Sequence, residues 1–136
     1  MENKYTVNEI SMTRVATEKR EYLSYMDTEI TYNLMQEIKQ MLEKQTICLL
    51  ELQNGVNDTA MSVFCENGKY HVGVVDMYND MNYYYDNGSD DHTLVDIDGN
   101  MFEARMVGKD ISVLWQIILT FAQEGKRCEQ VAWIEE

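Results

Sequence analysis

Between residues 76 and 98 the chain carries Asp76, Asp80, Asp86, Asp90, Asp91, Asp96 and Asp98, with no lysine or arginine among them. Those seven carboxylates are more than half of a formal net charge of -13, which arises from 24 acidic against 11 basic residues. Tyr78, Tyr83, Tyr84 and Tyr85 are interleaved with them, as are Met77 and Met81. Carboxylates of one sign steer a cationic partner, while tyrosine and methionine supply the apolar area that anchors an interface. Acids on a solvated sheet edge can instead serve only to deter self-pairing, but the crowding of tyrosine among them favours recognition. Neighbouring strand residues point to opposite faces, so Tyr83, Tyr84 and Tyr85 cannot all enter one core. The candidate partner-binding residues are therefore Asp76, Tyr78, Asp80, Tyr83, Tyr84, Tyr85, Asp86, Asp90 and Asp91. The partner they suit is a protein with a basic surface.

Other chemistry finds no motif. Ser62, Ser89 and Ser112 sit in no nucleophile elbow. Cys65 and His71 are close enough in sequence to meet across a hairpin, although a buried thiol and a sheet-surface imidazole are the plainer reading. No glycine-rich phosphate loop is present. The acidic turns at 86–91 and 96–100 fail the calcium-loop pattern, which needs glycine sixth and glutamate twelfth: the sixth residues are Asp91 and Met101. The three cysteines, Cys48, Cys65 and Cys128, form no Cys-x-x-Cys pair and read as reduced core thiols. His71 and His92 have no zinc-like spacing. No catalytic residue, cofactor or metal is expected, and an enzyme is the weaker class. A small-ligand domain would need a deep pocket with converging polar groups.

At 136 residues and 15.9 kDa the chain makes one domain, 1–136. Its 45% hydrophobic content is enough to bury about 70% of the unfolded surface, which excludes wholesale disorder. The acid excess argues against direct binding of nucleic acid through phosphates and against a polybasic membrane-surface role. No run approaches the roughly 18 apolar residues that span a bilayer. Met1-Glu2-Asn3-Lys4-Tyr5 lacks a secretory layout. A reducing cytoplasm is expected, and nothing in the pattern points to a homo-oligomer.

The elements that must position the acidic stretch follow from periodicity. Residues 4–26 keep no single period, although Tyr22–Met26 can extend as a strand. Ile30, Leu34, Ile38, Met41 and Leu42 predict a helix over 28–44, capped by Asp27 or Thr28. From 46 to 107 short apolar runs alternate with turn signals at Asn54-Gly55, Asn67-Gly68, Asn87-Gly88 and Asp98-Gly99. They predict an antiparallel meander of four to six strands, with Tyr70, Val72 and Val74 sharing a face. A second helix starts at the cap Asp110, presents Val113, Leu114, Ile117, Ile118, Phe121 and Ala122, and stops at Gly125. A last strand, 130–134, carries Trp133, which packs it onto that helix. The fold class is α+β: a mainly antiparallel sheet of about five to seven strands with two helices packed on it.

The C-terminal pattern runs Asp110-Ile111-Ser112-Val113-Leu114-Trp115, Ile118, Phe121, Gly125-Lys126-Arg127 and Val131-Ala132-Trp133. It resembles the end of the first-described immunity family of bacterial polymorphic toxin systems, often encoded beside deaminase toxins. There an apolar helix ends in phenylalanine and glycine, then a basic residue, then a strand with tryptophan. The match covers residues 110–134. This chain has Cys128 near where that family usually has proline. The resemblance implies a cytoplasmic antidote that binds a cognate protein toxin and blocks its active site or substrate entry. The rival reading is an acidic nucleic-acid mimic that inhibits a host defence nuclease.

Overall fold

The computed structural model describes residues 5–16 and 19–136; Met1–Lys4, read above for a leader layout, lie outside them. The stretch without a clear period is two strands, β1 (Glu9–Ala16) and β2 (Lys19–Met26), paired antiparallel with Ile10 opposite Tyr25 and Met12 opposite Leu23. The alternation of β2 is masked because its outward side also carries apolar residues, Tyr22 and Met26, both exposed. Helix α1 spans Tyr32–Glu43, four residues later than the pattern suggests. Thr31 is its cap: Thr31 Oγ1 accepts the Leu34 amide at 3.1 Å. Asp27 and Thr28 belong to a preceding single 3-10 turn, with Asp27 at φ 48.

Strands β3 (Ile47–Asn54), β4 (Thr59–Glu66), β5 (Lys69–Asp76) and β6 (Met81–Asp86) form the meander. Asn67 and Gly68, at φ 52 and 78, make the two-residue hairpin turn expected of them. Asn54-Gly55 does not make one. Asn54 is the buried last residue of β3, and its Oδ1 accepts the amides of Val56 and Asn57, both at 3.0 Å, shaping a four-residue turn.

The next two runs leave the meander. Strands β7 (Leu94–Ile97) and β8 (Asn100–Glu103) pair only with each other. Helix α2 (Ile111–Glu124) has the predicted ends: Asp110 accepts the Ser112 amide at 2.9 Å, and Gly125 closes it at φ 70. Strand β9 (Ala132–Glu135) then pairs beside β6, giving the sheet order β2-β1-β3-β4-β5-β6-β9. Among the described residues the architecture is α+β, with two helices and a seven-stranded antiparallel sheet plus a small two-stranded one.

Both helices cover one face. Leu34, Met35 and Ile38 of α1 and Leu114, Ile117, Ile118 and Phe121 of α2 share a core with Leu50, Leu52, Met61, Val63, Val72 and Val74. Each such fully buried side chain stabilises the fold by about 1.5–3 kcal/mol. The β7–β8 hairpin lies on the other face, where Phe102 contacts Phe64 and His71. His71 is thus no solvated sheet-surface imidazole: it is 2% exposed, with Nδ1 3.0 Å from the Met106 carbonyl. The register also separates it from Cys65. Phe64 lies opposite His71 and Cys65 opposite Tyr70, so thiol and imidazole face opposite sides of the sheet. The cysteines are free, and burial pushes the Cys65 thiol up to about 12.

Candidate partner-binding cleft

Three turns meet at one end of the sheet. The β3–β4 turn and the β5–β6 turn are joined by the Met77 amide donating to the Asp58 carbonyl at 2.9 Å. Asn57 Nδ2 reaches the Gly125 carbonyl at 3.5 Å, tying the first turn to the segment after α2. Between these segments lies an open cleft of about 830 Å³. Val74, Phe121, Val131 and Trp133 give it apolar walls; Asp58, Asp76 and Glu129 bring carboxylates; Lys126 and Arg127 bring cations.

Each charged or aromatic group is positioned by a local device. Asn79 donates to Asp76 twice, from its amide to Oδ1 at 3.0 Å and from Nδ2 to Oδ2 at 2.8 Å. Those bonds hold the Asp76 carboxyl below the usual range, with Arg127 adding to the effect, so it stays ionised. Trp133 Nε1 donates to the Cys128 carbonyl at 2.9 Å, fixing the indole against the post-helical loop. The Arg127 guanidinium carbon lies 3.6 Å from the centre of the Tyr83 ring. Val56 is 92% exposed and Tyr78 82%, so the cleft mouth presents unpartnered apolar area beside Asp58, Asp76 and Asp80.

The residues singled out from sequence divide between two places. Asp76, Tyr78 and Tyr83 line the cleft, and exposed Asp80, at φ 55, closes the same turn. Asp86 ends β6, about 17 Å along the strand from Met81 at about 3.4 Å per residue, and Asp90 and Asp91 follow beyond it. There they cap the loop that leads to the small hairpin. Asp86 accepts the Gly88 amide at 2.8 Å, Asp91 accepts the Thr93 amide at 2.9 Å, and Asp90 stands 3.4 Å from His92 Nε2.

The three adjacent tyrosines alternate as strand geometry requires. Tyr83 and Tyr85 pack on the helix-side core, Tyr85 against Tyr70 at 5.8 Å between ring centres. Tyr84 turns to the other face, 5.8 Å from His71. All three are half-buried. Strand β6 is not an edge, because β9 pairs along it, with Tyr85 opposite Trp133.

Asp58, Glu129, Arg127, Val56 and Trp133 were not among the residues expected at the site. Val56 in a turn was the available signal, since an apolar residue there has no core to enter. Among the described residues no group of three or more His, Cys, Asp or Glu could hold a metal ion. No helix among them is long and apolar enough to cross a membrane.

No protein-family model matches the chain, and no curated protein matches it. A solved structure with a similar fold is described as the crystal structure of a hypothetical protein from Neisseria gonorrhoeae. It superposes with a TM-score of 0.64 at 11% identity, over 95% of this chain and 96% of that one. The likeness extends over the whole architecture and speaks to fold alone.

Proposed function

We propose that this chain is a cytoplasmic immunity protein that neutralises a cognate bacterial toxin by stoichiometric binding, without catalysis of its own. The observation that carries the reading is the cleft. It gathers Asp76, Tyr78 and Tyr83 with Asp58 and Glu129, under an exposed Val56–Tyr78 rim, in a chain of net charge -13. Anchoring aromatics beside three carboxylates, which outnumber the cleft's two cations, Lys126 and Arg127, suit a basic protein surface. The resemblance of residues 110–134 to an immunity family supports the same role, and toxins that act on nucleic acid, deaminases or nucleases, present the basic substrate clefts that such a surface fits. The acids fall in two groups at the ends of β6 rather than along one continuous line, which favours a protein partner over mimicry of a phosphate backbone.

The test is neutralisation. The partner is isolated from the native cell extract on tagged protein, purified, and assayed with increasing amounts of this chain. Loss of the partner's activity at one equivalent, together with survival of cells co-expressing both, is the expected result. A partner whose activity is untouched at saturation would remove the antidote role, and capture of a restriction or defence nuclease would transfer the reading to the nucleic-acid mimic.

A further inference from the structure

Of the two cations lining the cleft, Arg127 is the one without an ionic partner within salt-bridge distance among the described residues. Among the described residues its guanidinium makes no hydrogen bond and no ion pair; its contacts are the Tyr83 ring face at 3.6 Å and the field of Asp76. Neighbouring Lys126 turns instead to Glu124, at 3.5 Å. A guanidinium lying on a tyrosine ring beside an ionised carboxylate is the arrangement by which proteins hold a cationic ligand. Here the chain fills it with its own side chain.

We propose that Arg127 is an internal stand-in, and that the partner inserts an arginine or lysine side chain onto the Tyr83 face beside Asp76, displacing it. This rests on the neutralising reading above and names the occupant of its cleft. Tyr83 packs against the core, so its ring offers one open face and holds one cation at a time. Arg127 is half-buried and gives up no hydrogen bond on leaving. The incoming side chain meets Asp58 and Glu129 as well as Asp76, and the segment carrying it covers Val56 and Tyr78. Arg127 also has a consequence for selectivity. A lone cation must compete with it, whereas a partner that adds rim contacts outweighs it.

The probe is the peptide acetyl-Gly-Arg-Gly-amide, with its citrulline analogue as the uncharged control. Both are titrated into the whole chain while the Trp133 indole N–H is followed by NMR. Arg127→Gln is expected to bind the arginine peptide about fivefold tighter than the native chain, and Tyr83→Leu to lose the response. The citrulline peptide should leave the signal in place. Thermal melts and amide spectra establish that each variant is folded. Equal or weaker binding by Arg127→Gln, or an equal response to citrulline, overturns the stand-in. If that happens while one equivalent still silences the partner, the neutralising reading survives alone. If the peptides behave as expected and no partner is silenced, the cation site stands and the antidote role falls.

Discussion

The rings of His71 and Phe102 stack with centres 4.0 Å apart and planes 16° from parallel, and this contact fastens the small β7–β8 hairpin to the main sheet. Phe102 also meets Phe64 at 5.4 Å. At the hairpin's turn, Arg20 grips Asp98 through two hydrogen bonds of 2.7 and 2.6 Å. The Asp98 amide in turn donates to Glu66 at 2.7 Å. The hairpin is thus held by aromatic contacts and an ionic clamp, together with the fully buried Ile97 and a Lys69 Nζ hydrogen bond to the Asp96 carbonyl at 3.4 Å.

Phe102→Ala should therefore loosen the hairpin before it unfolds the chain. Phe102 is half-buried, so the cost is about 2 kcal/mol, below the 3–5 of a fully buried phenylalanine. Hydrogen exchange of the amides from 94 to 103 should accelerate while those of β3–β5 keep their protection. Uniform acceleration across the sheet would mean that the hairpin is integral to the core.

His71 gives the same contact a pH dependence. Burial lowers its pKa, opposed by the Met106 carbonyl. The folded chain then binds fewer protons at this site than the unfolded one, whose imidazole titrates near 6.5. The contribution is fully present above about 6.5 and is lost as the pH falls toward the lowered folded value. Asp98, lowered mainly by its hydrogen bond with Arg20, and Glu103, lowered mainly by Arg105, lose their contributions only below the ordinary carboxylate range near 4. Urea midpoints should decline between pH 7.5 and 5 in the native chain and decline less in His71→Gln. Parallel declines would assign the effect to another group.

Much of this arrangement was legible beforehand. The second helix, its Asp110 cap and its Gly125 stop follow from spacing because both ends obey local rules: an accepting side chain before the first turn and a left-handed residue after the last. The sequence places 93–107 in the meander, and the departure of β7 and β8 into a sheet of their own is not legible there, because strand propensity identifies strands without saying which sheet they join. His71 reads as a surface residue on β5 for the same reason, since the hairpin that buries it is distant in sequence. The acid–tyrosine stretch was visible as composition, but its division by β6 into a cleft end and a loop end is a matter of topology. Arg127 and Asp58 reach the cleft from opposite directions in the chain, and no local pattern joins them.

Gly108 provides a test of the crossing between β5 and the segment before α2. Tyr70 and Gly108 exchange two backbone hydrogen bonds, of 2.9 and 2.8 Å, and Tyr70 Oη donates to the Asp110 carbonyl at 2.9 Å. A Cβ on Gly108 would collide with the Tyr70 ring, which is 1% exposed and has no room to retreat. Gly108→Ala should cost about 2–3 kcal/mol, seen as a lowered urea midpoint at unchanged slope. Adding Tyr70→Leu should recover part of the loss, because the smaller side chain vacates the colliding volume. Costs that simply add would show that the two positions do not meet.

The two ends of β6 make opposite predictions for the proposed partner. Tyr78 is 82% exposed and Asp76 already lies in the cleft with its charge fixed by Asn79, so both are available without rearrangement. Asp86 and Asp91 spend their carboxylates on the Gly88 and Thr93 amides, and withdrawing them would unpick the loop. Tyr78→Ala should weaken binding by about 2 kcal/mol, roughly thirtyfold, while leaving the melting temperature in place. Asp90→Asn should change the association rate and its salt dependence with little effect on dissociation, as expected of a rim charge. Measured by surface binding kinetics, a large loss from Asp90→Asn and none from Tyr78→Ala would move the interface to the far end of the strand. The cleft would then be left to another ligand.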